Sequence, residues 1–593
     1  MTDREYEYLF HQGTLYDAYN YMGCIWHDQN TIFRVWAPSA SRVTLTGDFN
    51  DWTEEDFCRI TENGIWEISK TGVKKGQEYK FVVYSASGKH YKSDPYAKQT
   101  NTREFTNSIV SEHKFDWTDG EYLKRRNRRD IFVSPMNIYE AHIGSWKKNL
   151  NYRTFADEVA PYLKDMGYTH IELMGISEYP LDDSWGYQVT GYFSPTRRYG
   201  ENSDFAYLVD KLHSFDIGVI LDWVPGHFPR NAEGLFRFDG SELYERSGAM
   251  GEHKEWGTCC FDYARNEVRS FLISAAMMWL KEYHIDGLRV DAVASMLYLD
   301  YGRSEWIPNE YGGKENLAAV NFLRQFNRAV HTHKGAFTVA EESTAWAGVT
   351  DKNNGLGFDF KWNMGWMHDT LAYLKTDPIY RKYEHNKMTF SLMYAFSEKY
   401  VLPISHDEVV YGKCSLINKA AGDYEHKFGA VKAFLAMMYA HPGKKLLFMG
   451  TELGQFDEWN FRGEIGWDLL GYDTHKMLHG YVKKLNNIYC KYKPFYADDS
   501  WNGFNWKVVD DRDRNIFVIE RKYKSESILI VVNFSPISYD GYYIETSRTN
   551  YKFLLDSNLE NAKTKLKYKS TGMSLSIGGY AVIILRSPKE KRS

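Results

Sequence analysis

The sequence predicts a multidomain protein: a central (β/α)8 barrel flanked by an N-terminal β-sandwich and a C-terminal antiparallel β-domain. Three observations carry that expectation. A chain of 593 residues exceeds what one hydrophobic core organises, so several domains are expected. Short alternating apolar runs broken by turn residues fill both ends of the chain. Between them, apolar runs of strand length recur eight times, separated mainly by helical patterns, which is the rhythm of a parallel barrel. The boundaries are placed at 1–125 for the sandwich and its linker, 126–494 for the barrel and 495–593 for the last domain.

In chain order, TIFRVWAPSASRVTLTGDFNDW (31–52) and GIWEISKTGVKKGQEYKFVVY (64–84) read as sandwich strands. Trp52 is their candidate exposed aromatic. The basic run KRRNRR (124–129) reads as a solvated interdomain linker. The eight barrel runs are NIYEAHIG (137–144), YTHIELMGI (168–176), IGVILDWV (217–224), IDGLRVDAV (285–293), FTVAEE (337–342), FDFKWN (358–363), YVLPISHDE (400–408) and KLLFMGTE (445–452). Phe205, Leu208, Val209, Leu212 and Phe215 share one helix face before the third run. Val268, Phe271, Leu272, Ala275, Ala276, Trp279, Leu280 and Tyr283 share one before the fourth. A doubly wound open sheet fits less well, because no glycine-rich phosphate loop follows the first strand. RNIFVIERKY, SILIVVNF and YAVIILRS bring back the strand texture after 495, and neither flanking region shows a long helix.

Composition narrows the partner. With 73 basic and 78 acidic side chains the net charge is −5, which gives no electrostatic footprint for nucleic acid or an anionic membrane. Tyr, Phe and Trp number 45, 34 and 18, an excess that suits a protein stacking rings on the apolar faces of sugars. The six cysteines are scattered without a CxxC pair, a reduced pattern with neither disulfide framework nor zinc site. The N-terminus lacks signal-peptide character, and the longest apolar stretch, 271–280, is about half of what a bilayer needs. A cytoplasmic, soluble protein is expected, monomeric or weakly oligomeric, with no metal and no cofactor.

In a barrel of this kind, polar side chains at the carboxyl ends of the strands do the chemistry. Those ends supply Asp222 and His227, then Arg289 and Asp291, then Glu341, then His406 and Asp407. Asp291 interrupts an apolar run, where an unpaired carboxylate is costly to bury. Arg289, two residues earlier, shares its strand face and can keep it ionised. Taken singly, each residue is as readily a helix cap, a loop anchor or half of an ion pair. Together, three carboxylates and an arginine around one mouth fit glycoside chemistry, which needs an ionised carboxylate and a carboxyl able to protonate a leaving oxygen. For a retaining enzyme the two should lie roughly 5–5.5 Å apart.

The segments DWVPGH (222–227), GLRVDAV (287–293), AEE (340–342) and SHDE (405–408) resemble, in order, the four motif regions of the α-amylase superfamily of glycoside hydrolases and transferases. Within it, IYEAHIGSWKK (138–148), SWGYQVTGYFSPTRRYG (184–200), RVDAVASMLYLDY (289–301), AEEST (340–344) and LPISHDEVVYGK (402–413) are most similar to glycogen (1,4-α-glucan) branching enzymes. KSDPYAKQT (92–100) and GTELGQFDEWN (450–460) are similar too. The resemblance covers the chain from about residue 20 onward. It implies a glycogen-binding-type N-terminal sandwich and a retaining glucosyl transferase acting on glycogen, amylose or amylopectin. It makes Asp291 the nucleophile, Glu341 the acid/base and Asp407 the third carboxylate. It also makes His227 and His406 contacts to the same sugar, Tyr187 a platform beneath it, Arg289 the support of the nucleophile and Asp222 the brace of Arg289. Alternation lets only one of Glu341 and Glu342 face the cavity, and the family pattern selects the first. Gly226 stands where many amylases carry a calcium-binding Asn, so no calcium is expected there. The competing reading is an α-glucan hydrolase of the same superfamily, of the amylase, debranching or trehalose-releasing type.

Overall fold

The computed structural model describes residues 1–103, 105–558 and 564–588. The chain forms two compact units, residues 1–127, 149–158 and 172–359, and residues 128–148, 159–171 and 360–593. Eight strands close a barrel in sequence order: Asn137–Ala141, His170–Leu173, Gly218–Trp223, Gly287–Val290, Phe337–Ala340, Phe360–Trp362, Tyr400–Ile404 and Lys444–Phe448. Seven lie inside the runs singled out from the sequence, and the eighth begins one residue earlier, at Lys444. The third, fourth and fifth strands are buried at every position, which is why parallel barrel strands read as near-continuous apolar runs.

The first unit opens with the expected sandwich. One sheet contains Thr31–Trp36 and Ile65–Lys70, the other Arg42–Gly47 and Glu78–Ser85. Phe33, Val35, Leu45 and Phe81 are buried between them, with Phe57 edge-on to Phe81 at 5.6 Å. The sandwich also grips the loop that follows the third barrel strand. Buried Lys92 donates to the carbonyls of Ala232 at 2.6 Å, Gly234 at 3.3 Å and Phe236 at 2.7 Å, and burial pulls its pKa down to about 8. Trp52 is 42% exposed, its indole N–H donating to Asp48 Oδ1 at 3.0 Å.

Two expectations are corrected here. The helix Asn266–Glu282 does not present a single apolar face: every residue from Ser270 to Leu280 is buried. Its outer side is covered by an N-terminal helix, Asp3–Gln12, capped by Thr2, a helix absent from the sequence reading. Asn266 Nδ2 donates to the His11 carbonyl at 2.9 Å, Ser270 Oγ to that of Phe10 at 3.2 Å, and Tyr19 OH to Glu282 Oε1 at 3.1 Å. The second correction concerns KRRNRR. Its first three residues end the helix Gly120–Arg126, and Arg126 is buried. It is drawn inward by Asp286, which lies just before the fourth barrel strand. Asp286 accepts from Arg126 Nη1 at 3.4 Å, Tyr122 OH at 3.0 Å and the Val219 amide at 2.6 Å, and pairs with His213 Nε2 at 3.0 Å.

In the second unit, Ile404 and Leu447 pair across the seventh and eighth strands. The last domain stacks a five-stranded sheet, including Ile516–Tyr523, Glu526–Asn533 and Val582–Ser587, on a three-stranded one including Tyr539–Glu545 and Gly572–Ile577. Val518, Val531, Leu575 and Leu585 belong to their shared core. All six thiols are free. Among the described residues no helix is long and apolar enough to cross a membrane.

The Asp286 cluster gives a pH-dependent expectation. Burial would raise the Asp286 carboxyl, but His213 and Arg126 overcome it and hold it below the ordinary range. A depressed carboxyl stabilises the fold above its unfolded pKa of about 4 and loses that contribution as pH falls. Asp286→Asn, which leaves buried Arg126 without its carboxylate and His213 with Asp119 alone, should cost about 3 kcal/mol. The check is the urea midpoint at pH 7, with the gap to wild type narrowing as pH is lowered below about 4.

Candidate active site

The third and fourth strands pair in parallel with Asp222 opposite Arg289. Period-two alternation then puts Arg289 and Asp291 on one face. The Arg289 guanidinium, 0% exposed, collects three carboxylates. Its Nη1 lies 3.3 Å from Asp222 Oδ2 and 3.0 Å from Asp291 Oδ1, and its Nη2 lies 2.7 Å from Glu341 Oε2. Burial alone would lower its pKa, but Asp222, Glu341, Tyr187 and Asp291 outweigh burial and hold it well above its ordinary value. The arginine is therefore charged at every working pH.

The backbone fixes this group as firmly as the side chains do. The Asp291 amide donates to the Trp223 carbonyl at 3.0 Å, the Glu341 amide to that of Val290 at 3.0 Å, and the Val293 amide to that of Glu341 at 2.9 Å. Between them Ala292 adopts φ 48° and ψ 44°, a left-handed conformation that costs a non-glycine residue about 1–3 kcal/mol. That turn aims its own amide at Glu341 Oε2, 2.9 Å away. Glu342 turns elsewhere and accepts from the Thr344 amide at 2.8 Å and from its hydroxyl.

Tyr187 arrives on a loop pressed against the end of the second strand. A Cβ on Gly186 would sit 2.1 Å from Gly175 Cα, and both glycines have positive φ, 95° and 62°, so only glycine fits at either position. The Tyr187 hydroxyl donates to Asp222 Oδ2 at 2.5 Å. His227 is buried with Nε2 3.7 Å from Asp291 Oδ2. Beside it, the Pro225 and Gly226 carbonyls accept from Tyr263 OH at 2.9 and 3.2 Å.

In the second unit, His406 and Asp407 stand together past the end of the seventh strand. His406 Nε2 is 3.4 Å from Asp407 Oδ1, and the Asp407 side chain is 41% exposed. Buried Glu140, at the end of the first strand, accepts from the His406 amide at 2.9 Å and pairs with its Nδ1 at 2.5 Å. Next to it His142 Nδ1 lies 2.8 Å from Ser145 Oγ, which also accepts from Trp459 Nε1 at 2.8 Å. Sequence reasoning passed over Glu140. The available signal was an acidic residue inside a mainly apolar run, NIYEA (137–141), the same anomaly that marked Asp291.

Asp222, Tyr187, His227, Arg289, Asp291 and Glu341 are thus brought together in the first unit, and His406 with Asp407 in the second. In the first, one guanidinium faces three carboxylates, leaving an excess of formal negative charge. Such a cluster favours a developing cation, which is the charge of a glycosyl transition state.

Residues 21–97 match the family model of carbohydrate-binding module 48 (isoamylase N-terminal domain). Residues 157–243 and 257–532 match the alpha amylase catalytic domain, and 506–587 the alpha amylase C-terminal all-beta domain. A 1,4-alpha-glucan branching enzyme GlgB 1 of Clostridium perfringens is 48% identical over 561 residues, covering 91% of this chain and 83% of the relative. The GlgB of Aquifex aeolicus is 46% identical over 615 residues, covering 98% of each. Among solved structures, a pullulanase of an Anoxybacillus species complexed with maltotetraose superposes with a TM-score of 0.75 at 16% identity, over 97% of this chain and 89% of that one. At that identity the likeness speaks for the fold alone. The chain belongs to the alpha-amylase family and, within it, to the GlgB family of 1,4-alpha-glucan branching enzymes.

Proposed function

We propose that the chain is a 1,4-α-glucan branching enzyme that cleaves an α-1,4 bond and transfers the released chain to a 6-hydroxyl, forming an α-1,6 branch by retaining double displacement. The observation that carries the reading is the single guanidinium of Arg289 joining Asp291 and Glu341. Asp291 attacks the anomeric carbon while Glu341, in its protonated form, gives its proton to the departing glycosidic oxygen, which leaves as the hydroxyl of the released chain. A covalent glucosyl ester results. Glu341, now a base, takes the proton of an incoming 6-hydroxyl, whose oxygen displaces Asp291 with net retention. A groove holding the acceptor chain at high effective concentration would favour it over water.

In the same reading Tyr187 is the platform beneath the sugar, fixed through Asp222. His227 and His406 contact the sugar's hydroxyls, Asp407 bonds them as third carboxylate, and Arg289 orients the nucleophile. Glu140 acts through His406, as a positioning residue. The N-terminal module is proposed to add a glucan contact at Trp52, whose exposure supports it. A net charge of −5 speaks against nucleic acid as a partner, and six free thiols suit a reducing, cytoplasmic compartment.

Incubation with amylose should lower iodine absorbance with few new reducing ends. Reducing ends rising in step with the loss of colour would assign the hydrolytic alternative instead. Asp291→Ala should lose turnover by about 10⁴-fold or more while still sedimenting with glycogen; a variant retaining wild-type rate would remove Asp291 as nucleophile. Glu140→Gln, which weakens a charge-assisted bond to His406, should lower kcat about 10–100-fold with little change in thermal midpoint.

A further inference from the structure

A cavity of about 110 Å³ in the first unit is lined by none of the residues assigned above. It forms where the excursion after the third strand, around Glu252–Trp256, meets the segment Tyr301–Glu305 beyond the fourth. Its volume is several times what a single water needs. The wall is braced from behind. Arg303 donates to the carbonyls of Ala249 at 2.7 Å, Met250 at 3.1 Å and Glu252 at 2.7 Å, so the hollow exists before any ligand arrives.

Two half-buried aromatics face into this space, Trp256 and Tyr301, with ring centroids 5.9 Å apart and planes at 57°. Apart from Ala249 and Gly302 the remaining lining is polar and includes the carboxylates of Glu252 and Glu255. Flat apolar faces rimmed by hydroxyl acceptors are what a sugar ring requires. The hollow also adjoins the chemistry. The Trp256 ring lies 5.0 Å from that of His227, whose Nε2 is 3.7 Å from Asp291. Burial raises the Tyr301 hydroxyl, and Glu341 and Asp291 raise it further, which places that phenol within the field of both carboxylates.

We infer that Trp256 and Tyr301 hold a glucosyl unit of the α-glucan next to the ring at which the bond is cleaved. The inference rests on the branching reading above and adds two residues to it. Either chain can supply the unit, the one being cleaved or the one accepting the branch, and the two sources differ in what the loss of Trp256 does.

The test compares wild type, Trp256→Ala and Trp256→Phe on amylose, recording branches formed and reducing ends released. Trp256→Ala should raise KM about tenfold, and Trp256→Phe, which keeps a ring, should recover most of the loss. If the unit belongs to the acceptor, hydrolysis rises relative to branching; if it belongs to the donor, both fall together. Ser304→Trp, a substitution at an exposed position that fills the hollow, should raise KM as well and stands in should Trp256→Ala not fold. Unchanged KM and an unchanged product ratio in Trp256→Ala, or in Ser304→Trp in its place, overturn the inference. A wild type inert on amylose would instead bring down the branching reading on which it rests.

Discussion

Everything in the first unit's site is organised by one buried positive charge. Arg289 has no exposed surface and three carboxylates within 3.3 Å of its guanidinium. Removing such a charge from water costs several kcal/mol even after relaxation, so the residue is stable only when its acidic partners surround it. The dependence runs both ways. Asp291 and Glu341 sit on different strands and would repel one another across an empty cavity. A planar fork with donors on two nitrogens joins them and fixes their separation. The arrangement is a charge cluster first, and its catalytic potential follows from leaving more negative charge than positive.

Rigidity around that cluster comes from backbone rather than bulk. Amide-to-carbonyl bonds stitch the ends of the third, fourth and fifth strands together. The strained turn at Ala292 gives Glu341 a backbone donor that no side chain could supply at the same angle. Gly175 and Gly186 let two loops touch at backbone distance and so set the height of Tyr187. At the opposite, amino-terminal ends of the strands a second charge cluster, Asp286 with Arg126 and His213, secures the strands that carry the first. The proposed chemistry and this stabilising cluster occupy opposite ends of the same strands.

The N-terminal module has a mechanical relation to this unit apart from any contact with glucan. Lys92 is enclosed by three carbonyls of the loop after the third strand, and Lys80 pairs with Glu233 in that loop at 2.7 Å. The loop continues the segment His227–Pro229, so the sandwich constrains the approach to His227. Binding and bracing are compatible duties, since Trp52 stands exposed while Lys92 is enclosed.

The eight strands, their order and the polar residues at their ends were legible in the sequence because they are local properties. A buried parallel strand announces itself as an apolar run, and alternation says which neighbours of Asp291 share its face. The family pattern, not periodicity, chose between Glu341 and Glu342; Glu341 bonds Arg289 and the Ala292 amide, Glu342 the Thr344 amide and hydroxyl. Other features depended on segments distant in sequence. The burial of Arg126 required Asp286, 160 positions away. The all-round burial of Asn266–Glu282 required a helix at residues 3–12. Glu140 became meaningful only opposite His406, and Trp256 and Tyr301 only when two excursions met. Local periodicity fixes what a segment must bury; which partner buries it is settled by non-local contacts that no spacing records.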